Sequence, residues 1–141
     1  MEETLIIVKP DAVERGLVGE IISRFEAAGF EIVRMRFEKL PDEVVHRFYG
    51  EHEGKPYFPR LVEYMISGPS CFAQLRRGDA IERARALVGA TDPASAAPGT
   101  IRGDLGLELP RNSAHASDCT RAAEREIGIV FADRSVQNEA G

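Results

Sequence analysis

The stretch Asn112-Ser-Ala-His-Ala-Ser-Asp-Cys119 sets His115 among small and polar residues, just ahead of an expected helix start. An imidazole can attack an electrophile with one ring nitrogen when a partner holds the other. Eight residues make a weak motif, and a histidine in a loop is more often a surface residue. The chemistry therefore depends on whether the chain supplies a partner for His115 and a site for what it would attack.

The helix that follows offers a partner. Ala123, Ile127 and Val130 recur at i, i+4 and i+7 and mark a buried stripe. At about 100° per residue, Glu126 falls about 60° from Ala123 and about 40° from Val130. It therefore faces partly inward, whereas Arg121, Glu124 and Arg125 face out. An inward carboxylate needs a partner. Residue geometry leaves two open: His115, whose other nitrogen would then be the nucleophile, or an arginine.

Positive charge comes from separate segments. Lys9 follows Leu5-Ile-Ile-Val8, a continuous apolar run that reads as a fully buried strand. It stands at the sheet edge, where it can meet a ligand, although on this stretch alone a solvated strand end is the commoner reading. From Gly89 to Asp104 the chain carries Pro93, Pro98, Gly99 and Gly103 with little periodicity, the character of a functional loop. Its Thr91 and Arg102, with the turn at Pro98-Gly99, form a candidate anion-binding surface. Arg85, one turn after Ile81, emerges near the edge of a buried helical face.

The elements that must position these groups follow from hydrophobic periodicity. Leu17, Val18, Ile21, Ile22, Phe25 and Ala28 share a helical face that Gly29 closes. Phe30 to Leu40 alternates as a strand, with a slip between Ile32 and Val33 that marks a bulge. Pro41-Asp42 opens a helix bearing Val45, Phe48 and Tyr49, and Gly50 to Pro56 is a loop. Tyr57-Phe58 opens a helix bearing Leu61, Val62 and Met65, which Ser67-Gly68-Pro69 stops. Ser70 to Leu75 is a third strand, and Asp79 is placed to cap a helix running to Val88. Leu105, Leu107 and Leu109 alternate as a short strand that Pro110 breaks. This order implies an α+β sandwich of the ferredoxin-like, split βαβ kind, with an antiparallel four-stranded sheet and helices packed on one side. There is no internal repeat or linker, so residues 1–141 read as one domain with a polar tail from about Arg134.

The totals bound the function. A length of 141 residues suits one domain with a real core. The net charge of -5 weighs against nucleic-acid binding through the whole surface but leaves room for a local cationic site. No apolar run approaches the ~20 residues of a membrane helix, and Glu2-Glu3 stand where a signal peptide would be basic. Cys71 and Cys119 suggest no disulfide framework. The expectation is a cytoplasmic protein without a membrane partner.

Taken together, these residues resemble the nucleoside diphosphate kinase family. Its hallmark Asn-x-x-His-x-Ser-Asp pattern stands here as Asn112-Ser-Ala-His115-Ala-Ser117-Asp118. Supporting segments, in order, are Ile7-Val-Lys-Pro-Asp-Ala-Val13, Lys55-Pro-Tyr-Phe58, Tyr64-Met-Ile-Ser-Gly-Pro69, Gly89-Ala-Thr-Asp-Pro93 and Pro98-Gly-Thr-Ile-Arg-Gly-Asp104. The resemblance covers about Thr4 to Phe131. It implies that His115 accepts and donates a phosphoryl group and that Glu126 orients its ring, with Lys9, Tyr49 and Ser117 in the same catalytic group. Lys9, Tyr49, His52, Arg85, Thr91, Arg102 and Asn112 match the positions that hold phosphates and ribose. Tyr57 matches the aromatic that stacks on the base, and Leu61 and Leu109 match its apolar neighbours. The implied cofactor is Mg2+ carried on the nucleotide phosphates, without a direct protein ligand, and Glu51 sits where it would touch the ion through water. The implied partners are nucleoside triphosphates and diphosphates. The implied reaction is ping-pong transfer of a γ-phosphate, typically from ATP, by a nucleoside-diphosphate kinase.

Ala116 stands where the family often has glycine, and a methyl group there would cost energy if the backbone needed positive φ. Cys119 stands where serine is usual; a thiol at a helix start can be reactive, but a small cap substitute is the commoner reading. Two other classes compete with the enzyme. A nucleotide-binding module without turnover would normally lack the histidine or several phosphate ligands. An RNA-binding sheet would want aromatics among basic residues on exposed strands, which Leu5 to Val8 lacks. The resemblance further implies a homo-oligomer, a dimer-based tetramer or hexamer, and Val33 and Met35 on an edge strand could pair across a two-fold axis.

Overall fold

In the computed structural model residues 1–133 are described; the polar tail expected from Arg134 lies outside them. The chain is built around β1 (Glu2–Val8), in which Leu5, Ile6, Ile7 and Val8 have no exposed surface. It pairs antiparallel with β3 (Ser70–Arg77) on one side and β4 (Ala114–Ala116) on the other, and β2 (Glu31–Glu38) closes the far edge, giving the order β2-β3-β1-β4. This is the antiparallel α+β sheet of the ferredoxin-like plan.

Helices cover both faces, not one. Alternate side chains of a strand point to opposite faces. Ile6 and Val8 pack with Ile21, Ile22 and Phe25 of α2 (Val18–Ala27) and with Ala84 and Val88 of α5 (Ala80–Val88). Leu5 and Ile7 pack with Val45 and Phe48 of α3 (Asp42–Phe48), Val62 and Met65 of α4 (Phe58–Met65), and Val130 of α7 (Thr120–Val130). An unbroken apolar run in the central strand already required a layer on each side. The one-sided arrangement did not follow from it.

The bulge lies where the phase slip placed it, with the β2–β3 register shifting between Ile32 and Arg34. Gly29 has φ +89 after α2, as a closing glycine should. Other local expectations change. Pro10 starts a short helix, α1 (Pro10–Glu14), directly after Lys9, where only a strand end was expected. Asp79 precedes α5 but has φ 55 and does not cap it; Glu2 Oε1 accepts from Ile81 N–H at 2.7 Å instead. The loop after α5 contains a 3₁₀ turn (Pro93–Ser95) and α6 (Ile101–Leu105), capped by Thr100 Oγ1 accepting from Gly103 N–H at 3.0 Å. Leu105 ends α6, and beyond it Glu108 bridges to Arg111, so the leucine alternation is not the fourth strand. The fourth strand carries His115 itself.

Candidate active site

His115 is held where β4 and α7 meet. Its neighbours Ala114 and Ala116 are buried against β1, which leaves the histidine side chain 17% exposed beside a cavity of about 890 Å³. Nε2 lies 2.8 Å from Glu126 Oε1, so the inward carboxylate pairs with the histidine and not with an arginine. Ser117 Oγ accepts from Leu5 N–H at 3.2 Å and donates to the same Glu126 oxygen at 2.7 Å. A carboxylate only accepts, so this arrangement puts the ring proton on Nε2 and leaves the lone pair on Nδ1. Phe48 meets the ring edge-on, with centroids 5.6 Å apart. Carboxylate and phenyl together fix the plane of the imidazole.

Cationic groups converge on the same cavity from distant segments. Lys9, for which a solvated strand end was the commoner local reading, is only 6% exposed and donates from Nζ to Asn112 Oδ1 at 2.8 Å. Burial, then the charge of Arg102, lower its pKa to about 7. Asn112 Nδ2 also donates to Thr91 O at 2.8 Å, tying the α5–α6 loop to the approach to β4. Arg102 donates from Nε and Nη2 to Ala114 O and from Nη1 to Gly89 O. Burial and the nearby Arg85 lower the pKa of Arg102 to about 10, so it stays charged near neutrality. Gly89 is required there: it has φ +90, and a Cβ would stand 2.6 Å from Thr100 Oγ1. Arg85, at the rim, lies 3.9 Å from Asp118.

A buried polar hub sets the turn before the histidine. Asp11 accepts at Oδ1 from Ser113 N–H and from the Tyr64 hydroxyl, and at Oδ2 from Ser113 Oγ at 2.8 Å and Arg15 Nη2 at 2.9 Å. These bonds hold Ser113 at φ 71, a conformation that costs a non-glycine residue energy. Lys9 N–H donates to Ser113 O at 2.9 Å, so the hub also locks Lys9 to the turn bearing Asn112. Tyr49 is buried beside Glu126 and Arg102, and its hydroxyl has no hydrogen-bond partner among the described residues. Burial, and then Glu126, push its pKa well up, so it remains a neutral donor.

The other end of the cavity is apolar and open. Tyr57, Leu61 and Leu109 line it, with Tyr57 and Leu109 about half exposed, and His52 and Glu51 sit beside them. Every residue expected at the site lines this one cavity except Ser117, which lies buried behind Glu126. Ala116 shows no positive φ, so the methyl group adds no backbone strain. Cys119 caps α7, its Sγ accepting from Ala122 N–H at 3.4 Å, which fits the small-cap reading. Sequence reasoning missed Phe48, the Asp11 hub and Arg125. Arg125 was read as outward-facing, yet it donates to Phe48 O at 3.1 Å and to Arg47 O, pinning the end of α3 to α7. Helical phase gives direction relative to the core only; which neighbouring helix an arginine reaches is a tertiary fact.

Mg2+ favours phosphate oxygens and waters with one or two carboxylates. Glu51, with its side chain 71% exposed at the cavity, fits that role, and no group of three or more His, Cys, Asp or Glu able to cage an ion occurs among the described residues. No helix among them is long and apolar enough to cross a membrane.

The chain is similar to known proteins over almost its whole length. The profile of a family described as "Nucleoside diphosphate kinase" matches residues 2–136. The nucleoside diphosphate kinase of Methanosarcina mazei is 50% identical over 138 residues, spanning 98% of this chain and 93% of that protein. That of Archaeoglobus fulgidus is also 50% identical over 138 residues, spanning 98% and 91%. Among solved structures, a halophilic nucleoside diphosphate kinase from Halobacterium salinarum in complex with CDP superposes with a TM-score of 0.91 at 46% identity, covering 94% of this chain and 88% of that one.

Proposed function

The chain belongs to the nucleoside diphosphate kinase family, and from that premise we propose that His115 carries the phosphoryl group in transit between nucleoside triphosphate and nucleoside diphosphate. The observation that carries this reading is the Ser117–Glu126–His115 chain, which leaves Nδ1 as a lone pair beside a cationic cavity.

In the first half-reaction Nδ1 attacks the γ-phosphorus of a triphosphate in line. The N–P bond forms as the bond to the β,γ-bridging oxygen breaks, and the diphosphate leaves. In the second, a terminal oxygen of another diphosphate attacks the phosphorus, and the N–P bond breaks. Each nucleotide uses the same site in turn, which is ping-pong transfer. Lys9, Arg85 and Arg102 supply positive charge to the phosphates, and Asn112 and Thr91 orient the anion and sugar. Such charge stabilisation and positioning account for most of the catalysis in phosphoryl transfer. As the ring becomes positive, Glu126 stabilises it through Nε2–H. The buried Tyr49 hydroxyl is a donor available to the phosphoryl group. Tyr57, Leu61 and Leu109 hold the base by its face, so selectivity among bases is low.

Glu51, exposed at the cavity, would hold a Mg2+ carried on the nucleotide phosphates, and the ion would supply charge neutralisation there. The remaining features of the reading are a single domain, a cytoplasmic location and a closed homo-oligomer. Support for the last is β2, an edge strand on which Val33, Met35 and Phe37 are 38%, 44% and 59% exposed and suited to isologous contact.

The test uses ATP labelled on its γ-phosphate, wild type beside His115→Ala, followed by unlabelled GDP. The reading expects label on the wild type alone, stable to base and lost in acid, that moves to GDP. Near-wild-type transfer by a folded His115→Ala protein would end it.

A further inference from the structure

Tyr57 presents a flat ring to the cavity, but its hydroxyl has a partner of its own. Oη lies 2.6 Å from Nδ1 of His52, in the 3₁₀ turn Gly50–His52. The two rings meet edge-on with centroids 5.6 Å apart, and His52 lies in turn against Tyr49 at 6.3 Å. Tyr49 packs on Phe48, whose edge meets His115. A row of aromatic rings thus runs from the open end of the cavity to the nucleophile, and a hydrogen bond ties its first two members.

A neutral imidazole has one donor nitrogen and one acceptor nitrogen, and which is which decides what His52 can offer a ligand. The 2.6 Å contact by itself admits either direction. But a phenol is a good donor and a weak acceptor, an unprotonated ring nitrogen is a good acceptor, and the Glu51 carboxylate on the other side of the ring favours a proton on Nε2. The phenol therefore donates to Nδ1, and the ring proton sits on Nε2. Glu51 Oε1 is 3.6 Å from Nε2, too far for a hydrogen bond. Nε2–H is left as a donor at the cavity. The opposite tautomer would present a lone pair there, which repels phosphate oxygen.

We infer that the Tyr57 hydroxyl fixes the His52 tautomer so that Nε2–H donates to a phosphate oxygen of the bound nucleotide. Tyr57 then acts twice, as a surface for the base and, through its hydroxyl, as a positioning residue for the phosphate grip. This rests on the nucleotide site proposed above. The hydroxyl contributes to binding and not to the chemical step, and it contributes equally whichever base is bound.

Tyr57→Phe keeps the ring and deletes one oxygen. It is expected to raise KM for ADP, GDP and CDP by the same factor, about three- to tenfold, the range of one ordinary net hydrogen bond. The same measurements apply to kcat, which should stay within about twofold because the hydroxyl acts on binding. In a His52→Ala background the Tyr57→Phe change should add nothing. Long-range proton–nitrogen correlation spectra of the nucleotide-free protein, in alkaline buffer where imidazoles are neutral, should show His52 protonated on Nε2 in the wild type and as a tautomer mixture in Tyr57→Phe. An unchanged KM, an undiminished penalty in the His52→Ala background, or a wild-type His52 protonated on Nδ1 would each overturn the bridge and leave phosphoryl transfer standing. A wild type without transfer would instead remove the nucleotide-site reading. The tautomer measurement, which needs no turnover, would still decide the hydroxyl's part.

Discussion

Glu126→Gln isolates what the carboxylate charge does, because the amide has nearly the same shape. Glu126 Oε1 receives two donors, His115 Nε2 at 2.8 Å and Ser117 Oγ at 2.7 Å. Ser117 Oγ already accepts from Leu5 N–H, so its proton needs an acceptor, and the amide oxygen of a glutamine keeps that place. The geometry at His115 is then preserved while the charge is lost. Full unit charges 2.8 Å apart would interact by about 6 kcal/mol at an effective dielectric of about 20. Only part of that charge exists in the transition state, so the hydrogen-bond scale is the better guide. A bond to a charged group contributes about 1.5–3 kcal/mol and a neutral one about 0.5–1.5 kcal/mol, leaving a difference of about 1–2 kcal/mol. That predicts a roughly five- to thirtyfold fall in the rate of His115 phosphorylation. Stability should not fall with it, because the wild type buries a carboxylate, 6% exposed, among neutral donors, and an amide costs less to desolvate there. Rapid-quench phosphorylation by labelled ATP, run beside thermal unfolding, makes the comparison. A rate within twofold of wild type, or a lowered Tm that tracks the lost rate, would refute the assignment of a charge role to Glu126.

Lys9, held near pKa about 7 by burial and Arg102, should lose its proton as pH rises through neutrality, and kcat/KM for ATP should fall above about pH 7 because the anion needs the protonated form. Between about 7 and the ordinary 10.5 the unfolded chain binds more protons than the folded one, so stability should rise with pH across that window; Tm profiles of wild type and Lys9→Met test this, since the variant should lose the rise. Arg125→Ala removes the donors to Phe48 O and Arg47 O, and denaturant melts should show a loss of about 1–3 kcal/mol, with kcat lowered as Phe48 and Tyr49 loosen and Arg125→Lys restoring part of both. Asp11→Ala leaves the buried Ser113 N–H without its acceptor, while Ser113 Oγ and Arg15 Nη2 keep Leu105 O, so urea unfolding should show a loss of about 1–3 kcal/mol.

The part of the site legible in the sequence is the part set by local periodicity. Helical phase alone turned Glu126 inward, and it is 6% exposed and paired with His115. Which of two partners it takes was not in the phase, because β4 brings His115 to α7 only through pairing with β1. Lys9 is the contrary case. Its burial depends on Asn112, 103 positions away, so no local pattern could distinguish it from a solvated strand end. The leucine alternation misplaced the fourth strand because Leu107 and Leu109, 44% and 47% exposed, are not core residues, and Leu109 lines the cavity instead. The true strand, Ala114–Ala116, is three residues long and too short to show a period. The family resemblance reached the cavity residues by motif. Its segments contain Asp11, Tyr64 and Ser113 but assign them no role, and they do not include Arg125, because what these residues do lies in tertiary hydrogen bonds.

The most direct measurement asks which atom carries the phosphoryl group. Wild-type protein labelled with 15N in its histidines is phosphorylated by ATP under alkaline conditions and examined for phosphorus–nitrogen coupling, with the residue identified by tandem mass spectrometry. The Glu126–Nε2 bond predicts a single phosphoryl group on Nδ1 of His115, transferable to GDP. Phosphate on Nε2, or on His46 or His52, would contradict the account.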